Sequence, residues 1–440
     1  MEESSYDVVV VGAGASGLAA ASTLQQDGWK VLVLEASDRV GGRVRSDNHL
    51  GFVCDLGASF IHGHKNSKIY ELAKKQGVKL VKFDYDDATV IVDQKKVDAE
   101  DFLDKVWAWE DILENMRKKF KGALNDNSNL KELVEMAKTE KKIDANTALH
   151  LNVFLRTDVE AEYGAMVDKL SAKYFDYADV NDGDDWVFPN GYMELFNPIA
   201  KTLNIKLNQI VQNIIQEDDL VLINTADGQN FQAQYCICTV PLGCLKKKLI
   251  NFEPPLSEGK ERAIEKMGFG TLDKVFLVFD HVFWEDTSVL ILVRKNPLNP
   301  IMYVANMNKV FGVPALMLFV PQSFASQTNT NSQAIEEARN ILAYSYPHAQ
   351  FNIVASYATN WGSDKFTHGA YSSFAPGTTL TDHEELAKPE GKRVYFAGEH
   401  TVGDNMSTVE GAYTSGLTAA ADVSKGLKSI EKVPILLLSA

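Results

Sequence analysis

The sequence predicts an α/β chain made of two interleaved regions, and three observations carry that expectation. Residues 8–17 (VVVVGAGASG) run four valines straight into glycines at 12, 14 and 17. A second apolar run, RVYFAG at 393–398, returns far along the chain and leads into a Gly/Ala-rich stretch. Between the two, helical spacing gives way to strand spacing and hairpin turns. At 440 residues, two or three domains are expected, and a hydrophobic content of 45% supplies their cores.

Taken in order, residues 6–35 read as strand, helix, strand. Asp7–Val11 is continuously apolar after its first residue, as in a strand covered on both faces. The helix runs from about Ser16 to Gln26, with Gly28 near its stop, and Lys30–Leu34 is the second strand, ending at Glu35. Residues 97–120 carry Phe102, Leu103, Val106, Trp109, Leu113 and Met116 at helical spacing, and the chain stays mainly helical to about 175. LVLINTADGQNFQAQYCICTVP (220–241) is a hairpin pattern with Asp227-Gly228 at the turn. Further strands are expected in 271–280, 301–320, VASYAT, GAYSSF and RVYFAG, with helices near 332–345 and over 408–425.

Charge and composition exclude some classes of function. A formal net charge of −15 repels nucleic-acid phosphates and suits cationic partners. Cys54, Cys236, Cys238 and Cys244 form no paired C-x-x-C clusters with nearby histidines, so no metal site is expected. They read as buried reduced thiols of a cytoplasmic protein. MEESSYD lacks a signal-peptide pattern, VPILLL falls short of the ~20 apolar residues of a membrane span, and LLLSA is no targeting address. The expectation is a soluble chain without nucleic-acid or membrane partners; nothing in the sequence assigns an oligomeric state.

The glycine run has a physical purpose if it turns strand into helix. Gly12 permits the tight turn, Gly14 lets backbone N–H groups reach a pyrophosphate, and Gly17 lets the helix pack on the strand. Ala15 and Ser16 open that helix, whose N-terminus favours phosphate. Glu35 and Ala36 then stand where a carboxylate meets an adenosine ribose. This is a Rossmann-like unit, to which NAD and FAD are equally suited. Gly41-Gly42-Arg43 adds a second close approach, with a cation matched to a diphosphate.

Three segments extend the pattern: VVVVGAGASGLAAASTLQQDGWKVLVLEASDRVGGRVRS (8–46), DLGASFIHG (55–63) and RVYFAGEHTVGDNMSTVEGAYTSGLTAA (393–420). Together they resemble the flavin-containing amine oxidase family, most closely its polyamine oxidases and the catalytic domain of flavin-dependent histone lysine demethylases. The resemblance implies a discontinuous FAD-binding domain (1–80, 190–250, 385–425), a substrate-binding domain (81–189, 251–384) and a tail (426–440). It also implies FAD as cofactor, with Gly57, Ala58, Ser59, Gly398 and Glu399 against it and Val211 holding the adenine through its backbone. Thr408 and Val409 would sit at the flavin ring, where Ser407 or Thr408 can cap a helix facing the flavin's pyrimidine edge. HTVGDNMSTVE (400–410) lacks the cysteine through which monoamine oxidases attach their flavin, so noncovalent FAD is expected.

Amine oxidation needs a neutral amine held against the flavin and an apolar cage around it. Lys274, in TLDKVFLVF, alternates with Phe276 and Val278 on an otherwise apolar strand face. It matches a flavin-facing lysine of the family, suited to holding a water; alone, it would read as a lysine snorkelling from a sheet edge. By the same resemblance, NWGSDKFTHGAYSSFAPG (360–377) supplies Tyr371 as a cage wall and Trp361 against the ring system. Thr408 replaces the second aromatic wall, which points away from monoamine oxidases. His62 matches a histidine near the amine, a neutral imidazole able to bond a substrate nitrogen, and His64 reads as a loop residue. Asp84, Asp86, Asp87 and Asp182, Asp184, Asp185 either attract distal ammonium groups or form solvated loops.

The expected activity is oxidation of a polyamine secondary amine to an imine, hydrolysed to aldehyde and amine, with O2 reduced to H2O2. One alternative is an L-amino-acid oxidase, with Arg45 or Arg156 as carboxylate partner. Another is a noncatalytic scaffold stabilised by FAD. A demethylase is disfavoured because the sequence shows no long coiled-coil insertion or histone-docking domain.

Overall fold

Alternate valines of the opening strand feed two different cores, which is why the run is apolar throughout. The computed structural model describes residues 6–178, 180–300, 302–325 and 331–431. In the strand Tyr6–Val11, Val8 and Val10 pack with the helices Ala15–Gln26 and Val409–Glu431. Val9 and Val11 join Leu32, Leu34, Cys236 and Phe396 in a separate cluster. The strand lies parallel to Val31–Leu34 on one side and Asn230–Cys238 on the other. From Asn230–Cys238 the sheet continues through the antiparallel Val221–Thr225 and Val211–Gln216, while Val394–Phe396 also pairs parallel to it. The Asp227-Gly228 turn closes the hairpin with Gly228 at φ +82°.

Two boundaries differ from the sequence reading. Asn251–Glu253 pairs parallel to Val211–Gln216, so the first sheet takes in residues just past 250. The last helix runs to Glu431, so 426–431 are helical rather than tail. Residues 432–440, with the VPILLL run and the chain's last residues, lie outside the described residues, as do residues 1–5.

A second sheet orders Ile353–Ala358, Leu272–Phe279, Ala315–Pro321, Tyr303–Asn306, Val289–Val293, Ala88–Val92 and Lys95–Val97. Its neighbours are antiparallel except for Val289–Val293 beside Ala88–Val92. The 301–320 stretch divides into two strands around the short helix Met307–Phe311, and GAYSSF contributes only Ser372–Ser373, paired with Gly268–Phe269. A helical layer covers this sheet. In Ala99–Lys119, all six apolar positions named from spacing are buried; Asp98 caps its N-terminus and Arg117, Lys118 and Lys119 fill its last turn. After Ala145–Phe154 the chain widens into a π-helix, Leu155–Glu160, a form that recurs at functional sites. Among the described residues, no helix is long and apolar enough to cross a membrane.

Candidate active site

One continuous cavity of about 890 Å³ is lined by both sheets and the helical layer, near the upper end of the ~300–1,000 Å³ of small-molecule sites. One end of it is bare backbone. Gly12 sits at φ +104°, and a Cβ there would stand 2.7 Å from Thr239 Oγ1. At Gly57 a Cβ would come within 1.8 Å of the Arg43 carbonyl, so DLGAS can close on GGR only without a side chain. At Gly14 a Cβ would find its nearest neighbour, the Gly41 carbonyl oxygen, only at 3.9 Å, and the residue lines the cavity. Gly17 does not line it: a Cβ there would fall 1.9 Å from the Gly12 carbonyl, so its role is to seat the helix on the strand.

The other residues assigned to a cofactor from sequence all line this cavity: Ala15, Ser16, Glu35, Ala36, Gly41, Gly42, Arg43, Ala58, Ser59, Val211, Trp361, Gly398, Glu399, Thr408 and Val409. Buried Glu35 accepts the Ala13 N–H at 2.7 Å and the Ser37 N–H and O–H at 2.9 Å, tying the glycine turn to the end of the second strand. Arg43 donates to Glu399 at 2.6 Å and to the Ala370 carbonyl at 2.9 Å. Burial opposes ionisation of Glu399, but Arg43, His400 and the Ser372 hydroxyl together outweigh it and hold the carboxyl below its ordinary range. The Arg43 guanidinium therefore stands in an ion pair beside the cavity.

Two helices begin at this end. The first starts at Ala15. The last starts at Val409, where Thr408 Oγ1 caps it by accepting the Gly411 N–H at 3.0 Å. Their packing is close: a Cβ on Gly416 would stand 2.2 Å from the Ser16 carbonyl, and Ser16 and Ser415 hydroxyls lie 3.3 Å apart. Both positive helix ends thus face one space, an arrangement suited to an anionic group. A cradle of glycines, a ribose-seeking carboxylate and two helix N-termini fit a dinucleotide.

Lys274 is buried in the cavity wall, and its three donors are directed at protein. Nζ donates to the Asp55 carbonyl at 3.0 Å, to the Gly57 carbonyl and to Ser59 Oγ. Burial pushes the ammonium down to about 8. The lysine therefore anchors the 55–59 loop as well as facing the cavity, which its strand position alone did not reveal. Trp361 is fixed by its indole N–H to the Leu56 carbonyl at 3.1 Å. Tyr371 donates to the Ala161 carbonyl at 2.7 Å, and its ring stands where a Cβ on Gly164 would be, 2.7 Å away.

His62, expected from sequence as a neutral imidazole, sits among groups that favour its charged form. Burial disfavours its charge, but the bond from Nδ1 to Asp185 at 2.9 Å and the charges of Asp185 and Glu162 raise its pKa above the ordinary value. Its accessible surface belongs to a ring lining the cavity, so the group is deep in the protein without being covered. Asp185 also accepts from the Tyr85 hydroxyl at 3.0 Å.

Of the two aspartate clusters singled out from sequence, only Asp185 reaches the cavity. Asp184 pairs with Lys82 at 2.8 Å, Asp87 holds Ser288 at 2.9 Å, and Asp84 caps a turn at Asp86. Sequence reasoning missed Glu110, Asp158 and Glu162, which do line it. Leu103, Trp107 and Glu110 follow i, i+4, i+7 spacing on one helix face, a signal that was available. Asp158 and Glu162 were not legible, since neither the π-helix that holds Asp158 nor the short helix Ala161–Tyr163 that follows it and holds Glu162 has a local sequence signature. Arg45 and Arg156 do not line the cavity; Arg156 is bound to Glu160 and Ser323.

A family model described as flavin containing amine oxidoreductase matches residues 15–424. Polyamine oxidase 4 of Oryza sativa subsp. japonica is 31% identical over 98% of this chain and 91% of its own length. Polyamine oxidase 2 of Arabidopsis thaliana is 30% identical over 96% of this chain and 89% of its own. Lysine-specific histone demethylase 1 homolog 2 of Arabidopsis thaliana is 32% identical over 97% of this chain but only 60% of its own.

Proposed function

The chain belongs to the flavin-containing amine oxidoreductase family, and from that premise we propose that it oxidises a secondary amine of a polyamine, with O2 as electron acceptor. Its cofactor is FAD, which accepts the hydride equivalent when bound. We assign the glycine turn, Glu35 and the first helix to its adenosine-diphosphate half, and Trp361, Thr408 and Val409 to its flavin half. The only cysteine on the cavity wall among the described residues is Cys244, whose thiol burial pushes up to about 12, which supports noncovalent attachment.

The observation that carries the substrate reading is the wall beyond the cofactor end. Glu110, Asp158, Glu162 and Asp185 share one cavity with Tyr371, His62 and Lys274. Carboxylates there attract a cationic chain, while Tyr371 and Phe319 give its methylenes an apolar surface. The reacting nitrogen must be neutral. His62, charged more readily beside Asp185, disfavours a second cation at that point and so favours the free amine. The 55–59 loop, held by Lys274, keeps the wall in register with the cofactor end. An amino-acid oxidase would want an arginine for the substrate carboxylate; the cavity's arginines, Arg39 and Arg43, both lie at the glycine end, bound to backbone carbonyls and Glu399.

The test is peroxide formation with spermine, spermidine, their acetylated forms, L-amino acids and a methyl-lysine peptide. Turnover of a polyamine with identified aldehyde and amine products is expected. Efficient oxidation of neutral L-amino acids with polyamines inert would overturn the reading, turnover of the peptide alone would favour the demethylase relatives, and no peroxide from any amine would favour a scaffold.

A further inference from the structure

We propose that Glu410 is a positioning residue for His62, its buried carboxylate holding the 62–69 segment against the first turn of the last helix. This rests on the amine-oxidase reading for what His62 does, and deepens it. Helix Lys68–Gln76 opens with an incomplete cap. Ser67 Oγ accepts the Tyr70 N–H at 3.1 Å, while the Lys68 and Ile69 N–H groups precede any carbonyl of their own helix. Glu410 supplies the acceptor from the far end of the chain. It takes the Lys68 N–H at 2.9 Å, the Ile69 N–H at 3.0 Å and the Ser67 hydroxyl at 2.7 Å. Three bonds to one buried carboxylate are charge-assisted and fix its partners in direction. Glu410 itself lies in the first turn of Val409–Glu431, so one negative charge serves two positive helix ends.

The segment anchored in this way carries His62. Just beyond it the chain lies against residues 181–185. The Gly63 N–H donates to Asp185 at 2.9 Å, His64 Nδ1 accepts the Asp184 N–H at 2.9 Å, and the Lys65 N–H donates to the Asp182 carbonyl at 2.9 Å. Gly63 leaves no slack, since a Cβ there would stand 1.6 Å from the Asn181 carbonyl. His62 faces Asp185 and Glu162, Tyr85 donates to the same Asp185 carboxylate, and the Phe60 ring stacks on the imidazole at 5.6 Å. The 62–67 loop and the 181–185 segment are thus one bonded unit, and Glu410 ties that unit to Thr408 and Val409. Those two line the cavity; Glu410 is buried behind them. The opposite wall hangs on the same turn. Ser407, left-handed at φ +69°, donates to the Ser372 carbonyl at 2.6 Å, one residue beyond Tyr371. His62 and Tyr371 are therefore set against each other through four consecutive residues, 407–410.

The experiment follows the His62 ring by 13C NMR in histidine-labelled, FAD-loaded protein, with the signal assigned through His62→Ala. Held against Asp185 and Glu162, His62 of the unaltered protein should titrate above its ordinary value. Glu410→Ala should lower that titration toward the ordinary value while FAD affinity changes by less than about twofold. Glu410→Gln, which keeps one acceptor and loses the charge, should fall between. Asn129→Ala removes the cap of Leu130–Lys141, a helix away from the cavity wall, and should lower stability without moving His62. For an amine that the peroxide panel shows to be turned over, Glu410→Ala should lower kcat/KM about tenfold, and should cost little more in a His62→Ala background. An unmoved His62 signal would overturn the proposal, as would a signal moved as far by Asn129→Ala or losses that simply add in the double variant. Ser67→Ala deletes one donor and leaves the carboxylate; it should move His62 in the same direction by less, and decides the matter if Glu410→Ala fails to fold. If His62 moves as expected but no amine is oxidised, the positioning role stands and the proposed activity falls.

Discussion

Replacing Lys274 by methionine keeps length and apolar bulk but strips two carbonyls and a hydroxyl of their donor. The partners left bare are Asp55 O, Gly57 O and Ser59 Oγ. At about 1.5–3 kcal/mol for each bond to a charged group, the gross loss is about 5–9 kcal/mol. Against this, the native fold holds an ammonium pushed from 10.5 down to about 8 by burial. At ~1.36 kcal/mol per pH unit, removing it recovers up to about 3.4 kcal/mol at pH 7; the three acceptors oppose the depression, so that figure is an upper one. The variant should therefore be about 2–6 kcal/mol less stable, retain its flavin and turn over substantially more slowly. The sign with pH is specific. Between pH 8 and 10.5 the unfolded lysine binds more protons than the folded one, so the unaltered protein gains stability as pH rises through that window and the variant does not. Denaturant unfolding at pH 7, 8.5 and 10 measures both terms, and Ser59→Ala, which removes one acceptor, calibrates a single bond. A Lys274→Met protein of unchanged stability, unchanged pH dependence and normal turnover would refute the reasoning.

Glu35→Ala should weaken FAD retention about ten- to hundredfold by ultrafiltration, because the Ala13 N–H loses its 2.7 Å acceptor as the ribose loses its own; Glu35→Gln should fall between, and full retention in Glu35→Ala would count against the assigned end of the cavity. Acid precipitation should leave all flavin in the supernatant, whereas flavin in the pellet would mean a covalent link. Between pH 8 and 6, kcat/KM for a polyamine should fall about tenfold as Glu162, raised to about 7, takes up a proton and stops attracting the substrate. Glu162→Gln should flatten that limb and His62→Ala should reshape it with FAD still bound; an unchanged profile in both would remove these residues from substrate binding. Added salt should raise KM more than it lowers kcat, since exposed approach is screened more than the buried site.

Local chemistry made much of the fold readable. The six apolar positions of Ala99–Lys119 are buried because helical spacing and core burial are one constraint. The Asp227-Gly228 hairpin follows from its turn residues, and Lys274 stood out as a charge in a strand with no exposed face. What stayed hidden depends on tertiary placement. Asp184 immediately precedes the short strand that opens at Asp185, yet Asp185 lines the cavity while Asp184 pairs with Lys82, a difference that adjacent identical residues do not announce. Arg43 read as a diphosphate ligand, but its partner Glu399 lies 356 positions away.

That separation has a consequence for how the protein is made. The opening strand finds its second partner only at Asn230–Cys238, and the glycine turn meets its second wall only with Gly398 and the last helix. A nascent chain must therefore carry an unsealed, apolar nucleotide pocket until almost all of it has been synthesised. Such long-range closure is slow and exposes the chain to misassembly. FAD that binds the closed form in preference would pull the last step forward by mass action. Flavin scarcity during expression should then lower the yield of folded protein, beyond leaving part of it unloaded.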